Sequence, residues 1–117
     1  MSAALIAKMR RAREVEAEAL GFRFSVRIPN AGEMADLGES LAGKPMTFRR
    51  VVGAFVVGWN LREIDLIPGG NPVAAEFSPA LFAEWLNEHE PAIEPLAKII
   101  LDGIDARRAK LEDDAKN

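Results

Sequence analysis

Glu88-His89-Glu90 is the only place in the chain where side chains of acid–base type stand together. An imidazole between two carboxylates has the groups for general acid–base catalysis, which needs the base in a pocket, within hydrogen-bond reach of the proton it takes. These three are consecutive and stand directly before Pro91, so they point apart into water at the end of a helix. There His89 meets the negative end of the helix dipole. Asp102 and Asp105, spaced i, i+3, allow one metal contact, but carboxylates at that spacing are usually surface solvation. His89 is the single histidine and cysteine is absent. Multi-histidine metal sites, thiolate zinc, iron–sulfur clusters, disulfides and cysteine nucleophiles are therefore excluded. The Gly53–Gly58 stretch lacks the lysine of a phosphate-binding loop. No catalytic residue, cofactor site or metal ligand is assigned.

The other groups able to do recognition chemistry are cations. Lys8, Arg10, Arg11 and Arg13 form one cluster, and Arg49-Arg50 and Arg107-Arg108 are two pairs. Such groups grip phosphates when they belong to a broad basic field with aromatic residues between them. Here 15 Lys+Arg face 18 Asp+Glu, a net charge of −3, and a nucleic-acid partner is not expected. A chain of 117 residues, 49% hydrophobic and 28% charged, is sized for one domain with a modest core. Its apolar runs are far shorter than the ~20 residues of a membrane span, and the basic N-terminal residues follow a short apolar run instead of preceding it. No signal-peptide order is present, and the expected location is the cytoplasm of a bacterial host.

The elements that would position these groups begin ambiguously. Ala3 to Leu20 is rich in helix formers, yet from Arg13 a second period appears. Val15, Ala17 and Ala19 alternate with glutamates, and Phe22, Phe24, Val26 and Ile28 alternate with Arg23, Ser25 and Arg27. Alternation on both sides of Leu20-Gly21 reads as a β-hairpin with one apolar face, although the first strand also reads as the end of a helix. Past Pro29, Asn30 and Glu33 have capping-box spacing at the start of a short helix carrying Met34, Leu37 and Leu41. Thr47 caps the next one, in which Phe48, Val51, Val52, Phe55, Val56 and Trp59 form a continuous stripe.

From Asn60 to Phe77 the chain is Pro/Gly-rich, a small hairpin or ordered loop with Ile64, Leu66 and Ile67 as anchors on one side and Val73 on the other. Ser78-Pro79 then caps a helix, with Phe77 and Phe82 as a hydrophobic staple and Leu81, Phe82, Trp85 and Leu86 inward. A last helix starts near Pro91 or Glu94-Pro95 and carries Ile93, Leu96, Ala97, Ile100, Ile104 and Leu111. The predicted fold is α+β, an N-terminal β-hairpin on a small bundle of about four α-helices. Residues 1–12 are a flexible or helical segment, 13–106 one domain, and 107–117 a frayed, solvated tail. Trp59 and Trp85 fall on core stripes, with interface anchoring as the alternative. Trp59, Leu61, Phe77, Phe82 and Trp85 are the candidate partner-binding residues.

The series VVGAFVVGWNL, GGNPVAAEFSPALFAEWL and EPLAKIILDGI resembles the tail assembly chaperones of long-tailed phages (siphophages and prophages). Their pattern has a helix ending in Gly-Trp, a loop with Gly-x-Pro-hydrophobic, a Phe-Ser opening a helix, and a helical C-terminus. Here those positions are Gly58-Trp59, Gly70-Asn71-Pro72-Val73, Phe77-Ser78 and Pro91 onward. The resemblance spans residues 13–110, and order and spacing carry its specificity. The Asn60–Pro68 loop is longer than the pattern.

The resemblance implies a non-enzymatic factor that binds the tape measure protein. It would keep that protein soluble while the tail tube protein polymerises around it, and would be absent from the virion. It also implies a longer form of the same chain, made by −1 ribosomal frameshifting. A small acidic helical protein with aromatic grooves suits an apolar helical partner, and weak self-association is compatible with it. A small α+β adaptor of another phage or bacterial assembly shares the same composition. A stand-alone enzyme is disfavoured because no polar constellation converges. The last residues, Ala115-Lys116-Asn117, can be encoded GCA AAA AAC, which contains the slippery heptamer A AAA AAC. Reading the gene tests this expectation: the heptamer, or one close upstream, should be present with an open −1 frame beyond it.

Overall fold

Leu20 and Gly21 are the only residues between two strands, and both have positive φ, 53° and 82°. Two left-handed residues in a two-residue loop make a hairpin turn whose twist matches its strands. In the computed structural model, which describes residues 2–116, β1 (Glu14–Ala19) pairs antiparallel with β2 (Phe22–Arg27), Ala19 opposite Phe22. Helix α1 (Ser2–Arg11) precedes them and buries none of its residues. The helix reading of the N-terminus thus holds only to Arg11, and the alternative in which the first strand is the end of that helix does not, because Glu14–Ala19 pairs with β2. Ala17, Ala19, Phe24, Val26 and Ile28 are buried on one face, and Glu14, Glu16 and Glu18 are exposed on the other.

The expected helix from Phe48 to Trp59 ends early. Thr47 caps it as predicted, its Oγ1 accepting from the Arg50 N–H at 3.2 Å, but α3 is Phe48–Phe55. At Val56 ψ swings to 124°, and Val56–Trp59 becomes strand β3. Strand β3 pairs antiparallel with β2, Phe24 opposite Trp59 and Val26 opposite Val56, with a bulge between Ser25 and Val26. The i, i+4 stripe is genuine as a pattern. However, Val-Val-Gly is a weak helix sequence, and the free edge of β2 offers backbone partners that a further helical turn cannot match. The sheet order is β1-β2-β3.

This also changes what covers the hairpin. Phe22 and Phe24 meet α5 (Pro79–Glu88) through Trp85 and Phe82, and Phe24 also pairs with Trp59 of β3. Helix α6 (Ile93–Lys116) packs on α3 and β1. It comes so close at Gly103 that a Cβ there would lie 2.9 Å from Cγ1 of Ile28. A 3₁₀ turn, Glu90–Ala92, joins α5 to α6. The tail is solvated but not frayed: α6 continues to Lys116, because after Gly103 its residues are mostly good helix formers without glycine or proline. Asn117, the end of the expected slip site, lies outside the described residues.

Helix α2 (Ala31–Ser40) opens on the expected capping box, and its Glu33 does more than cap. Its carboxylate receives Arg13 through Oε1 and Arg27 Nε through Oε2, the latter at 2.9 Å. Arg13, only 8% exposed, also donates to the Ile28 carbonyl at 2.9 Å. One carboxylate thus ties both ends of the hairpin to the start of α2. Burial raises the Glu33 pKa, but hydrogen bonds from Arg13 and the Asn30 N–H and the charges of Arg27 and Arg13 outweigh it, so the net shift is downward.

A carboxyl with a lowered folded pKa contributes stability above its unfolded pKa, ~4.3, and loses that contribution as pH falls through the folded value. Glu33→Gln should cost about 2–3 kcal/mol at neutral pH by leaving Arg13 buried without its counter-charge. In urea titrations, the gap between wild type and variant should close as pH is lowered below about 4.

Candidate partner-binding site

The acid–base side chains Glu88, His89 and Glu90 lie where α5 ends and the 3₁₀ turn begins. Glu88 and Glu90 are exposed. His89 lies flat on Trp85, ring centroids 4.4 Å apart, and its Nδ1 stands 2.9 Å from the Trp85 carbonyl. A carbonyl only accepts, so Nδ1 carries the proton. His89 is thus a half-buried helix cap, not the solvated residue expected. Asp102 is paired with Lys98 at 2.6 Å. Among the described residues no group of His, Asp and Glu is placed to hold a metal ion, and no helix is long and apolar enough to cross a membrane.

The cations are dispersed. Arg13 is held by Glu33, Arg49 by Asn87, and Arg50 by the Pro45 carbonyl. Arg107 and Arg108 flank an open groove of about 340 Å³ between the start of α2 and the second half of α6.

The five candidate partner-binding residues do come together. The Trp59 and Phe77 rings meet edge to face at 5.2 Å, and Phe77 lies 5.7 Å from Phe82, the staple that the Ser78 cap requires. Phe82 stacks on Trp85 at 6.1 Å. Trp59 Nε1 donates to the Ala75 carbonyl at 2.8 Å, which fastens the far end of the loop to β3.

Accessibility divides the five. Leu61, Phe82 and Trp85 are buried and belong to the core, with Trp85 also reaching the wall of a surface cleft. Trp59 and Phe77 are partly buried at its margin. The Trp85 indole nitrogen is buried with no hydrogen-bond partner among the described residues.

The loop is ordered and partly hairpin-like. Ala75 N–H donates to the Leu61 carbonyl at 3.0 Å and Glu63 N–H to the Val73 carbonyl at 2.9 Å. Between these strands of contact lies one helical turn, α4 (Glu63–Leu66), and Asp65 caps it by accepting from the Arg62 N–H at 2.8 Å. Of the four expected anchors, Leu66 packs on the core and the other three do not. Leu61 and Leu66 face the core, whereas Ile64, Ile67 and Val73 are exposed.

Beside them Leu66, Ile67, Leu81 and Trp85 line a cleft of about 160 Å³ rimmed by Glu84 and Glu88. Sequence reasoning placed the accessible apolar surface on the aromatics. Part of it is on the loop, where Ile64, Ile67 and Val73 are three β-branched residues in an otherwise polar, Gly/Pro-rich segment. No protein-family model, no curated protein and no solved structure matches this chain.

Trp59 tests the packing of the margin. Trp59→Phe keeps the ring contacts and removes only the bond to Ala75, so it should cost about 1 kcal/mol. Trp59→Ala should cost ~3 kcal/mol. Urea denaturation reads both, and limited proteolysis should show faster cleavage within residues 60–77 in the alanine variant.

Proposed function

We propose that this chain is a tail assembly chaperone of a long-tailed phage or prophage, which binds the tape measure protein and holds it soluble while the tail tube polymerises around it. The observation that carries the reading is the Gly58-Trp59, Gly-Asn-Pro-Val, Phe77-Ser78 series. Its members are separated in sequence, yet Trp59, Ala75 and Phe77 form one connected unit at the loop margin. The exposed Ile64, Ile67 and Val73 on the same loop add the kind of surface that a long apolar helical partner would use.

On this reading the chain is not an enzyme and works in the host cytoplasm. Its partners are the tape measure protein, the tail tube protein and a longer frameshifted form of itself, and it binds neither nucleic acid nor membrane. Genes for a tube protein upstream and a long tape measure frame downstream are expected beside its own.

Co-expression tests the proposal. The matching tape measure protein, insoluble alone, should appear in a soluble complex when this chain and its longer form are present. Ile67→Asp should reduce the recovered complex several-fold while leaving the fold intact. Absence of rescue with both forms present counts against the reading.

A further inference from the structure

Helix α1 buries nothing, yet it is amphipathic. Leu5, Ile6 and Met9 are 60%, 46% and 61% exposed. At 3.6 residues per turn they share one stripe, with Lys8 on one side of it and Arg10 on the other. A helix this short is marginal in water without a surface to pack on. Its apolar stripe skirts Arg13, Asn30 and Glu33 of its own chain and leaves the cleft between α4 and α5 unfilled.

That cleft has the opposite character. Its apolar lining is Leu66, Ile67, Leu81 and Trp85, and its rim is Glu84 and Glu88, one helical turn apart on α5. Like charges at i, i+4 repel, and neither carboxylate is paired with a cation among the described residues. The volume of about 160 Å³ suits a single large aliphatic side chain.

We propose that α1 of one copy docks in the α4–α5 cleft of a second copy. An aliphatic side chain of the Leu5–Met9 stripe would fill the cleft, and Lys8 or Arg10 would face the Glu84–Glu88 rim. Cations flank the stripe on both sides, so either direction of the helix brings one of them to the carboxylates. Donor and acceptor are different surfaces, so the contact is head to tail, and a copy bound at one end still offers the other. A ten-residue helix covers less than the ~1,200–2,000 Å² of a standard interface, so the association is weak and grows with concentration. It does not rest on the tape measure reading.

Two variants blocked at opposite ends test it by sedimentation equilibrium. Leu5→Asp/Met9→Asp removes the donor stripe from a helix that buries no residue, and Glu84→Lys/Glu88→Lys inverts the rim at two exposed positions. Circular dichroism confirms that both remain folded. The wild-type chain should associate beyond a dimer with rising concentration, several-fold more weakly when salt goes from about 0.05 to about 0.5 M. Each variant alone should be monomeric, and their mixture should stop at a 1:1 dimer. The proposal is overturned if the wild type stays monomeric, if either variant still self-associates like wild type, or if the mixture does not pair.

Discussion

A strand in the middle of a sheet must have its backbone groups satisfied along both edges, and β2 is that strand. The two-residue turn supplies β1 on one side. The other side is met only because α3 stops at Phe55 and the next four residues turn into strand β3. The remaining architecture depends on this exchange of helix for strand. It sets Trp59 opposite Phe24 and brings the indole within bonding distance of Ala75. It also directs the loop back towards the Ser78 cap, so that α5 descends with Phe82 and Trp85 onto Phe24. Had α3 run on, β2 would present an open edge and the loop would start from another place.

The opposite end of the sheet is closed by charge instead of aromatic packing. Arg13 leaves α1, enters the hairpin almost fully buried and finds the Ile28 carbonyl and Glu33. A buried guanidinium is tolerated only when its hydrogen bonds and counter-charge are supplied. Here both come from residues that also end β2 and begin α2. The cap of α2 and the registration of the hairpin are therefore one ionic unit, and acid weakens them together.

The molecule has clefts lined by polar groups, one of them by Arg10, Arg27, Glu33, Asp36 and Ser40. It also exposes apolar surface, including a helix flanked by cations and a loop–helix cleft rimmed by carboxylates. Surfaces of this sort suit reversible protein contacts. Phe82 and Trp85 are buried in the core, whereas Ile64, Ile67 and Val73 of the loop are exposed.

Short-range physics made much of the fold legible in the sequence. The capping box at Asn30 and Glu33, the caps at Thr47 and Ser78, the Phe77–Phe82 staple and the alternation of the hairpin each depend on residues a few positions apart. Each is found where it was expected. The α+β class and the stripes of α5 and the first half of α6 were legible for the same reason. The strand at Val56–Trp59 was not, because its apolar spacing fits a helix and only the edge of β2, some thirty residues earlier, selects the extended form. Division of the aromatics into core and margin was likewise a tertiary decision, since burial of Leu61, Phe82 and Trp85 depends on which elements close over them. Exposure of Ile64, Ile67 and Val73 follows from the same closure: the loop reaches the core with Leu61 and Leu66, and its remaining apolar side chains are left facing water.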